Sequence, residues 1–599
     1  MSSVIENLKE RKAWELCLAL LLTLVLLFGV IACFVFPLVI KPGDKDHSPH
    51  TMTPTSGPDV GYRFDHGAVA ADAQICSQVG RDLLQDGGSA VDAAIAAMLC
   101  IGVVHPSSAG IGGGFFMTIY ERESGTTRVI DARERAPFAA NETMFVEYPE
   151  LSLAGALSIA TPGELHGYKK AHDLYGVLPW NQLFQPAILI AEEGYLIDNT
   201  MAADIVYNED YIRADEGLSS LFVDGDGNLK TEGDLVKNPL LAATMRRLAI
   251  EGVDIFYTGD IAQTLVEETQ NIGGILTLAD MSSYEALVKE PLQVNVFGGL
   301  TAFTAPPPSS GVVAQMIMNI MDEYSYTAED VSTMEGETLM YHRFIEATKF
   351  AFAKRAQLGD TEYEPVQDLI RNMTSEDVAS LIRQTINDVR VTYDNVTQYD
   401  TPFANTFDEG TSHLSVIAPN GDAVAMTSTV NNGFGSKFMS PTTGVVLNNQ
   451  MDSFSTPGLR NSDGIAPSSP NFIKPGKRPM SSMSPTILLS ENGDVRMALG
   501  ASGSSRMITS ISLVSLRTQC FDEDLRDVIN QRRLHHQLSP NYIQYEEGFS
   551  EEILSRLENK DHETYLQTRY AVVQAILRSR EGSLYAFSDP RKGGIAAGF

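Results

Sequence analysis

The chain is poor in cysteine and in positive charge, and each shortage closes off a class of function. Five cysteines among 599 residues are too few to staple a chain of this length, and no two stand at a C-x-x-C spacing. Zinc-ribbon and thioredoxin-like readings are thereby excluded. Lys and Arg number 44 against 76 Asp and Glu, a net charge of −32 with a pI near 4.7. Such a surface repels phosphate backbones, so nucleic acid is excluded as a main partner. Sequence repeats are also lacking, which removes solenoids and propellers. What remains, with 43% hydrophobic residues, is a chain that buries a large core.

One long apolar run is present. Leu16 to Ile40 contains no charged residue and holds Cys17 and Cys33. As a helix it reaches roughly 37 Å, enough to cross a ~30 Å hydrocarbon layer with some tilt. It is longer than a signal-peptide core and no small-residue cleavage site follows, which favours an anchor. Lys9, Arg11 and Lys12 precede it, and Lys41 and Lys45 follow. The expected organisation is a cytoplasmic tail at 1–15, a transmembrane signal anchor at 16–40, a Pro/Gly/Ser/Thr-rich stalk at 41–60 and an ectodomain beyond. Sequons at Asn141, Asn372 and Asn395 fit an extracellular body, that is, a single-pass type II protein of the plasma membrane.

Within the ectodomain, Ser89 followed by an Ala-rich stretch to Cys100 predicts an N-capped, buried helix. Alternation predicts a hairpin over Phe115–Tyr120 and Thr127–Ala132. Helical periodicity dominates about 160–290 and 311–385. A β-rich zone follows over about 411–510, and the last stretch of the chain reads as helix before the short run Leu584–Phe587. Mixed helices and antiparallel strands predict an α+β or layered αββα body.

Several motifs carry little. Gly110-x-Gly112-x-x-Phe115 lacks the third glycine of a dinucleotide fingerprint and opens a strand. Asp224-Gly-Asp-Gly-Asn228 begins like a calcium loop, but Leu229 and Leu235 occupy positions that need Gly and Glu. His535 and His536, read as neighbours on a helix, diverge by about 100° and gather no acidic partners. No metal and no cofactor is expected.

The informative segment runs from Gly410 to Asn431. Two alternating strands flank Pro419-Asn420-Gly421-Asp422, a strong hairpin signal. A two-residue loop sets Thr411 opposite Val430. A three-residue loop sets it opposite Thr429, with both side chains on one face. Either way the Thr429 hydroxyl lies near Thr411, an arrangement that by itself also serves merely to stabilise a sheet.

From this segment outward the chain resembles the γ-glutamyltransferase family over essentially the whole ectodomain. The matching stretches include Asp86-Gly-Gly-Ser-Ala-Val-Asp-Ala-Ala94, His105-Pro-Ser-Ser-Ala-Gly-Ile-Gly-Gly-Gly114, Asp131-Ala-Arg-Glu134, Thr161-Pro-Gly-Glu164 and Gly410-Thr-Ser-His-Leu-Ser415. Thr427-Ser-Thr-Val-Asn431, Asn448-Asn-Gln-Met-Asp452, Arg478-Pro-Met-Ser-Ser-Met-Ser-Pro485 and Asp589-Pro-Arg-Lys-Gly-Gly594 follow in order.

The resemblance implies an N-terminal-nucleophile hydrolase, an αββα four-layer sandwich that cuts itself between Gly410 and Thr411. A membrane-anchored large subunit (ectodomain 61–410) and a small catalytic subunit (411–599) would form a heterodimer. Thr411 would be the nucleophile, with its newly freed α-amine as base, and Gly410, lacking a Cβ, would tolerate a strained backbone before the cut. Thr429 would position the nucleophile, and Gly503 with Ser504 would form the oxyanion hole. Arg133, Ser481 and Ser482 would hold the substrate α-carboxylate, and Asn431, Gln450 and Ser453 its amine. The implied substrates are glutathione and other γ-glutamyl compounds, with water, amino acids or dipeptides as acceptors. Cys76 and Cys100 match a family disulfide.

Three positions depart from the family pattern: Gln450 replaces Glu, Ser453 replaces Asp, and Ser504 replaces a second glycine. The first two remove charge where the substrate ammonium would sit, and the third places a side chain where φ > 0 is expected. Asp452 would point away from Ser453 if the segment were extended. The departures leave open an acylase of the same fold with altered acyl specificity, and a catalytically weak surface homologue.

Overall fold

Alternating side chains send each strand of the Gly410–Asn431 hairpin into two different cores, and the architecture follows from that division. The structure, a computed structural model, describes residues 62–404, 410–460 and 466–599. The expected tail, anchor and stalk (1–60) lie outside the described residues. Among the described residues no helix is long and apolar enough to cross a membrane.

Two seven-stranded sheets form the centre, every pairing within them antiparallel. Across the first sheet the order is Ala597–Gly598, Ala68–Ala71, Gly410–Ile417, Ala423–Asn431, Gly114–Glu121, Thr126–Ala132 and Leu287–Lys289. The second runs Arg63–Phe64, Leu584–Ser588, Val572–Arg578, Val495–Ser502, Thr486–Leu489, Leu300–Thr304 and Leu292–Val296.

Three buried apolar clusters fill the spaces between four layers. Val69, Met117, Leu414, Val416 and Met426 pack against the outer helices Ala90–Val104 and Trp180–Glu193. Alternate residues of the same strands (Ala68, Ala70, Ile417, Ala423, Ala425) meet Ile487, Ala498, Ile576 and Ala586 of the second sheet. The far face of the second sheet, including Leu488, Leu499 and Val573, is covered by helices Gly311–Asp322, Met334–Arg355 and Arg506–Cys520. This is the expected αββα sandwich. The period-two alternation builds it, because each strand is apolar on both faces.

The Ala90–Val104 helix is buried along its whole length and begins as expected. Ser89 caps it, accepting from the Asp92 N–H while Asp92 accepts from the Ser89 N–H. Such a reciprocal cap satisfies two orphan donors at a partly buried helix start. Cys76, on helix Gln74–Gln85, is disulfide-bonded to Cys100, and Cys520 is a free, half-buried thiol.

Three segments differ from expectation. Past Cys520 the chain does not stay helical: Val572–Arg578 is a strand of the second sheet and Leu534–His535 a short strand. The strand was hidden because both its faces are buried, so its apolar run lacks alternation. His535 and His536 are therefore not helix neighbours. His535 bonds Thr509 and Gln537 instead. Gln450–Ser453 is a 3-10 turn, not an extended segment, which changes where Asp452 points.

Candidate active site

The hairpin register decides the first contact. Ile417 pairs with Ala423 and Thr411 with Thr429, closed by the loop Pro419–Asn420–Gly421 with Gly421 at φ 90°. This is the three-residue alternative, in which a left-handed glycine ends the turn. Between Thr411 and Gly410 the register shifts, so that Gly410 pairs with Asn431 and Val430 is the extra residue of a bulge. Both threonine hydroxyls consequently face the second sheet. Thr411 donates to Thr429 Oγ1 across 3.3 Å. The Asn431 N–H donates to the same oxygen at 2.8 Å, and the Thr429 hydroxyl donates to the Gly410 carbonyl oxygen. Thr429 thus ties the side chain of Thr411 to the carbonyl that precedes it.

Gly410 is required here for space. A Cβ would lie 2.6 Å from the Asn431 carbonyl oxygen and 2.9 Å from the Asn432 carbonyl carbon. Asn431 itself sits at φ 78°, a left-handed conformation that asparagine tolerates better than most residues.

The predicted amine-side residues form a chain from Asn431. Ser453 donates to Asn431 Oδ1 at 3.1 Å and accepts from Gln450 Nε2 at 2.6 Å. The Gln450 side-chain oxygen is buried without a hydrogen bond. Because the segment is a 3-10 turn, the Asp452 carboxylate comes round to the same side, with Oδ2 at 3.5 Å from Asn431 Nδ2 and 3.4 Å from Asn432 Nδ2.

Arg133 follows the Thr126–Ala132 strand and is fully buried. It donates to the backbone oxygens of Pro479 and Met480 at 3.2 and 3.0 Å, directly before Ser481 and Ser482. Asn471 joins this group to the amine side: its Nδ2 donates to the Ser453 carbonyl at 2.8 Å and its Oδ1 accepts from the Met480 N–H at 3.0 Å. An unbroken hydrogen-bonded path therefore runs from Thr411 to Arg133.

Gly503 and Ser504 lie where the Val495–Ser502 strand turns into helix Arg506–Cys520, at φ 112° and 61°. The left-handed turn is thus built with a serine in the second position, at a cost of about 1–2 kcal/mol for a residue bearing a Cβ. Among the described residues no hydrogen bond joins this turn to Thr411. Its place is set by the facing strands: a Cβ on Gly500 would lie 2.2 Å from the His413 ring, two residues from Thr411 on the same face.

His413 is the obvious side-chain base by sequence proximity, and its surroundings exclude it. Burial pushes its pKa down to about 3, and its ring nitrogens bond Thr427 at 2.8 Å and Ser415 at 3.0 Å. It is a neutral strut between hydroxyls. Behind the hairpin, Glu164 is buried and pushed up to about 8 by loss of solvent, accepting from Ser428 at 2.8 Å and from Tyr168.

These contacts draw on several of the stretches that carried the family resemblance, and comparison with known proteins bears on the same residues. The sequence model of gamma-glutamyltranspeptidase matches residues 76–599. The chain belongs to this family. It is 43% identical to Scoloptoxin SSD14 of Scolopendra dehaani over 91% of this chain and 94% of that protein. It is 40% identical to Glutathione hydrolase 2 of Arabidopsis thaliana over 89% and 94%. Against human Glutathione hydrolase 5 proenzyme it is 37% identical over 90% and 93%. Among solved structures, cephalosporin acylase from Bacillus halodurans superposes with a TM-score of 0.78 at 23% identity, covering 92% of this chain and 99% of that one. That likeness is one of fold.

Sequence reasoning missed Lys592. It lies in the quoted Asp589–Gly594 stretch but received no role. Its ammonium is buried and donates to the Thr411 carbonyl at 2.9 Å, to Ser412 and Ser108 at 3.1 Å each, and to Asp72 at 2.7 Å. Asn471 and Asp452 were missed or set aside for a related reason. Only the folded loops bring them to the site. No repeat, spacing or motif signals such a contact, although a lysine in an otherwise turn-forming stretch was a legible oddity.

Proposed function

We propose that the chain is a γ-glutamyl hydrolase and transpeptidase that acts through Thr411 as an N-terminal nucleophile. The observation that carries this reading is the Thr411–Thr429–Gly410 contact set inside the family match. In the precursor, the Thr411 hydroxyl oxygen attacks the Gly410 carbonyl carbon and the C–N bond breaks. Water then hydrolyses the resulting ester, leaving a Gly410 carboxylate and a free Thr411 amine. That amine, with an ordinary pKa near ~8, is the base the mature enzyme otherwise lacks.

In turnover, Thr411 Oγ1 attacks the γ-carbonyl carbon of glutathione or a related amide, and its proton passes to the α-amine. Backbone N–H groups at Gly503 and Ser504 take up the charge on the carbonyl oxygen, worth roughly 3 kcal/mol per donor in comparable sites. Collapse expels the peptide amine, which leaves with the proton. Water or an amino acid or dipeptide amine then takes the γ-glutamyl group from Thr411. Arg133, Ser481 and Ser482 hold the donor α-carboxylate, and Asn431, Gln450, Ser453 and Asp452 hold its ammonium. The chemistry calls on no metal or cofactor. The acylase alternative draws on the shared fold and on the uncharged Gln450 and Ser453.

The two products of the cut stay together as a heterodimer. Residues 16–40 anchor it, and the catalytic body is extracellular. The exposed Asn141, Asn372 and Asn395 are its glycosylation sites.

The test is Thr411→Ala. The wild type resolves on a denaturing reducing gel into two fragments, the smaller beginning Thr-Ser-His-Leu, and releases aniline from a γ-glutamyl anilide faster than from its glutaryl analogue. The variant stays whole and inactive. An uncut wild type with full activity would overturn the mechanism.

A further inference from the structure

Arg569 lies at the rim of the site and takes no part in the contacts described so far. Its guanidinium carbon stands 4.5 Å from the centroid of the Tyr207 ring, and Tyr207 is 70% exposed. The carboxylate of Asp204 approaches to 3.8 Å, beyond hydrogen-bonding reach. No hydrogen bond among the described residues engages any of its N–H groups, and its side chain is 56% exposed. A guanidinium held over an aromatic face, with its donors not hydrogen-bonded among the described residues, is prepared for bidentate binding of a planar anion.

Two independent chains of contact link this group to the Thr411 site. Two residues along the chain, Ala571 abuts the oxyanion turn, its Cα 2.7 Å from where a Cβ on Gly503 would be. On the other side, Asp204 accepts from Ser107 at 2.8 Å, and the adjacent Ser108 shares the Lys592 ammonium with the Thr411 carbonyl. Arg133 is reached from Thr411 by a different route of contacts, through Asn431, Ser453 and Asn471. The γ-glutamyl carboxylate and the Arg569 site are therefore distinct.

We infer that Arg569, stacked on Tyr207, is a specificity-determining residue that binds the free carboxylate of the peptide half: the C-terminal carboxylate of the leaving dipeptide, and of an incoming dipeptide acceptor. The inference rests on the proposed γ-glutamyl chemistry and names the feature that chemistry selects. On a chain with net charge −32, a cation whose carboxylate neighbour stands off at 3.8 Å also offsets the repulsion an anionic peptide would meet.

The test compares glutathione with its glycine-amide analogue, in which the terminal carboxylate alone is neutralised, using the full-length protein. The wild type prefers the acid, and Arg569→Gln lowers the ratio of kcat/KM for acid over amide about tenfold, as expected for one partly solvated charged hydrogen-bond pair. The loss falls mainly on KM, and Arg569→Lys restores part of the preference. Turnover of both donors with an unchanged ratio in Arg569→Gln would overturn the inference while leaving the γ-glutamyl reading intact. A wild type that turns over neither donor would overturn both.

Discussion

Lys592 and Thr411, 181 residues apart in sequence, are joined by a 2.9 Å hydrogen bond from a buried ammonium to the carbonyl oxygen of the candidate nucleophile. The same ammonium is ion-paired with the buried Asp72. In the proposed mechanism Lys592 is a positioning residue: it holds the backbone carbonyl of Thr411 and does not engage its hydroxyl.

Lys592→Met should therefore cost about 3–5 kcal/mol of stability, because Asp72 is left as a buried charge without its cation. Cleavage at Gly410–Thr411 should slow in the same variant. Adding Asp72→Asn should recover most of the stability but not the cleavage rate, since the Thr411 carbonyl still lacks its donor. Chemical denaturation and gel densitometry of the two fragments report the two effects separately. Full recovery of both would reduce Lys592 to a structural ion pair.

Ser453→Asp restores a carboxylate between Asn431 and Gln450, the two side chains it now bonds. KM for γ-glutamyl donors should fall about tenfold, the scale of one hydrogen bond to a charged group. A glutaryl donor, which has no ammonium, should gain nothing. If KM does not move, the ammonium is held by Asp452, and Asp452→Asn should then raise it.

Glu164 gives a pH signature of defined sign. Burial raises its pKa to about 8 in the folded chain, against an ordinary value of 4.5, so the native state keeps a proton that the unfolded state releases. Its stabilising contribution is complete below pH 4.5 and is lost as pH rises through 8. Glu164→Gln cannot ionise and escapes this loss. The Tm difference between variant and wild type should move in favour of the variant from pH 4.5 to 8 and stay flat above. A difference independent of pH would mean Glu164 is already ionised in the fold.

Buried histidines act in the opposite direction. Burial holds His413 and His535 near 3 and lowers His342, His536 and His562. His342 and His562 also bond each other at 2.8 Å. Below pH 6.5 the unfolded chain binds protons that the native chain refuses, so stability falls by about 1.4 kcal/mol per pH unit for each such histidine. His562→Gln, whose amide can replace the bond to His342, should reduce the slope of stability against pH by one proton between pH 6 and 4. Urea midpoints across that range check it.

The fold and most of the site could be read from residues close together in sequence. The Ser89 cap, the Gly114–Ala132 hairpin and the pairing of Thr411 with Thr429 rest on local rules of period, turn and cap. Family resemblance then nominated Arg133, Ser481, Ser482, Gly503 and Ser504, and the expected positive φ at Ser504 is present. What stayed hidden depends on loops that meet only after folding. Asn471 bridges two groups no spacing connects, Asp452 turns inward because its segment coils, and Val572–Arg578 looks helical because both its faces are covered. Gly410 was expected for conformational freedom, whereas its neighbours demand the missing side chain.

In the first sheet the hairpin that follows residue 410 is hemmed on both sides by strands that precede it: Gly410–Ile417 beside Ala68–Ala71, and Ala423–Asn431 beside Gly114–Glu121. Scission at Gly410–Thr411 would thus yield pieces that cannot drift apart without stripping these ladders of backbone bonds, and others in both sheets, at once. Folding has to come before the cut, and halves made separately should fail to reassemble into an active enzyme.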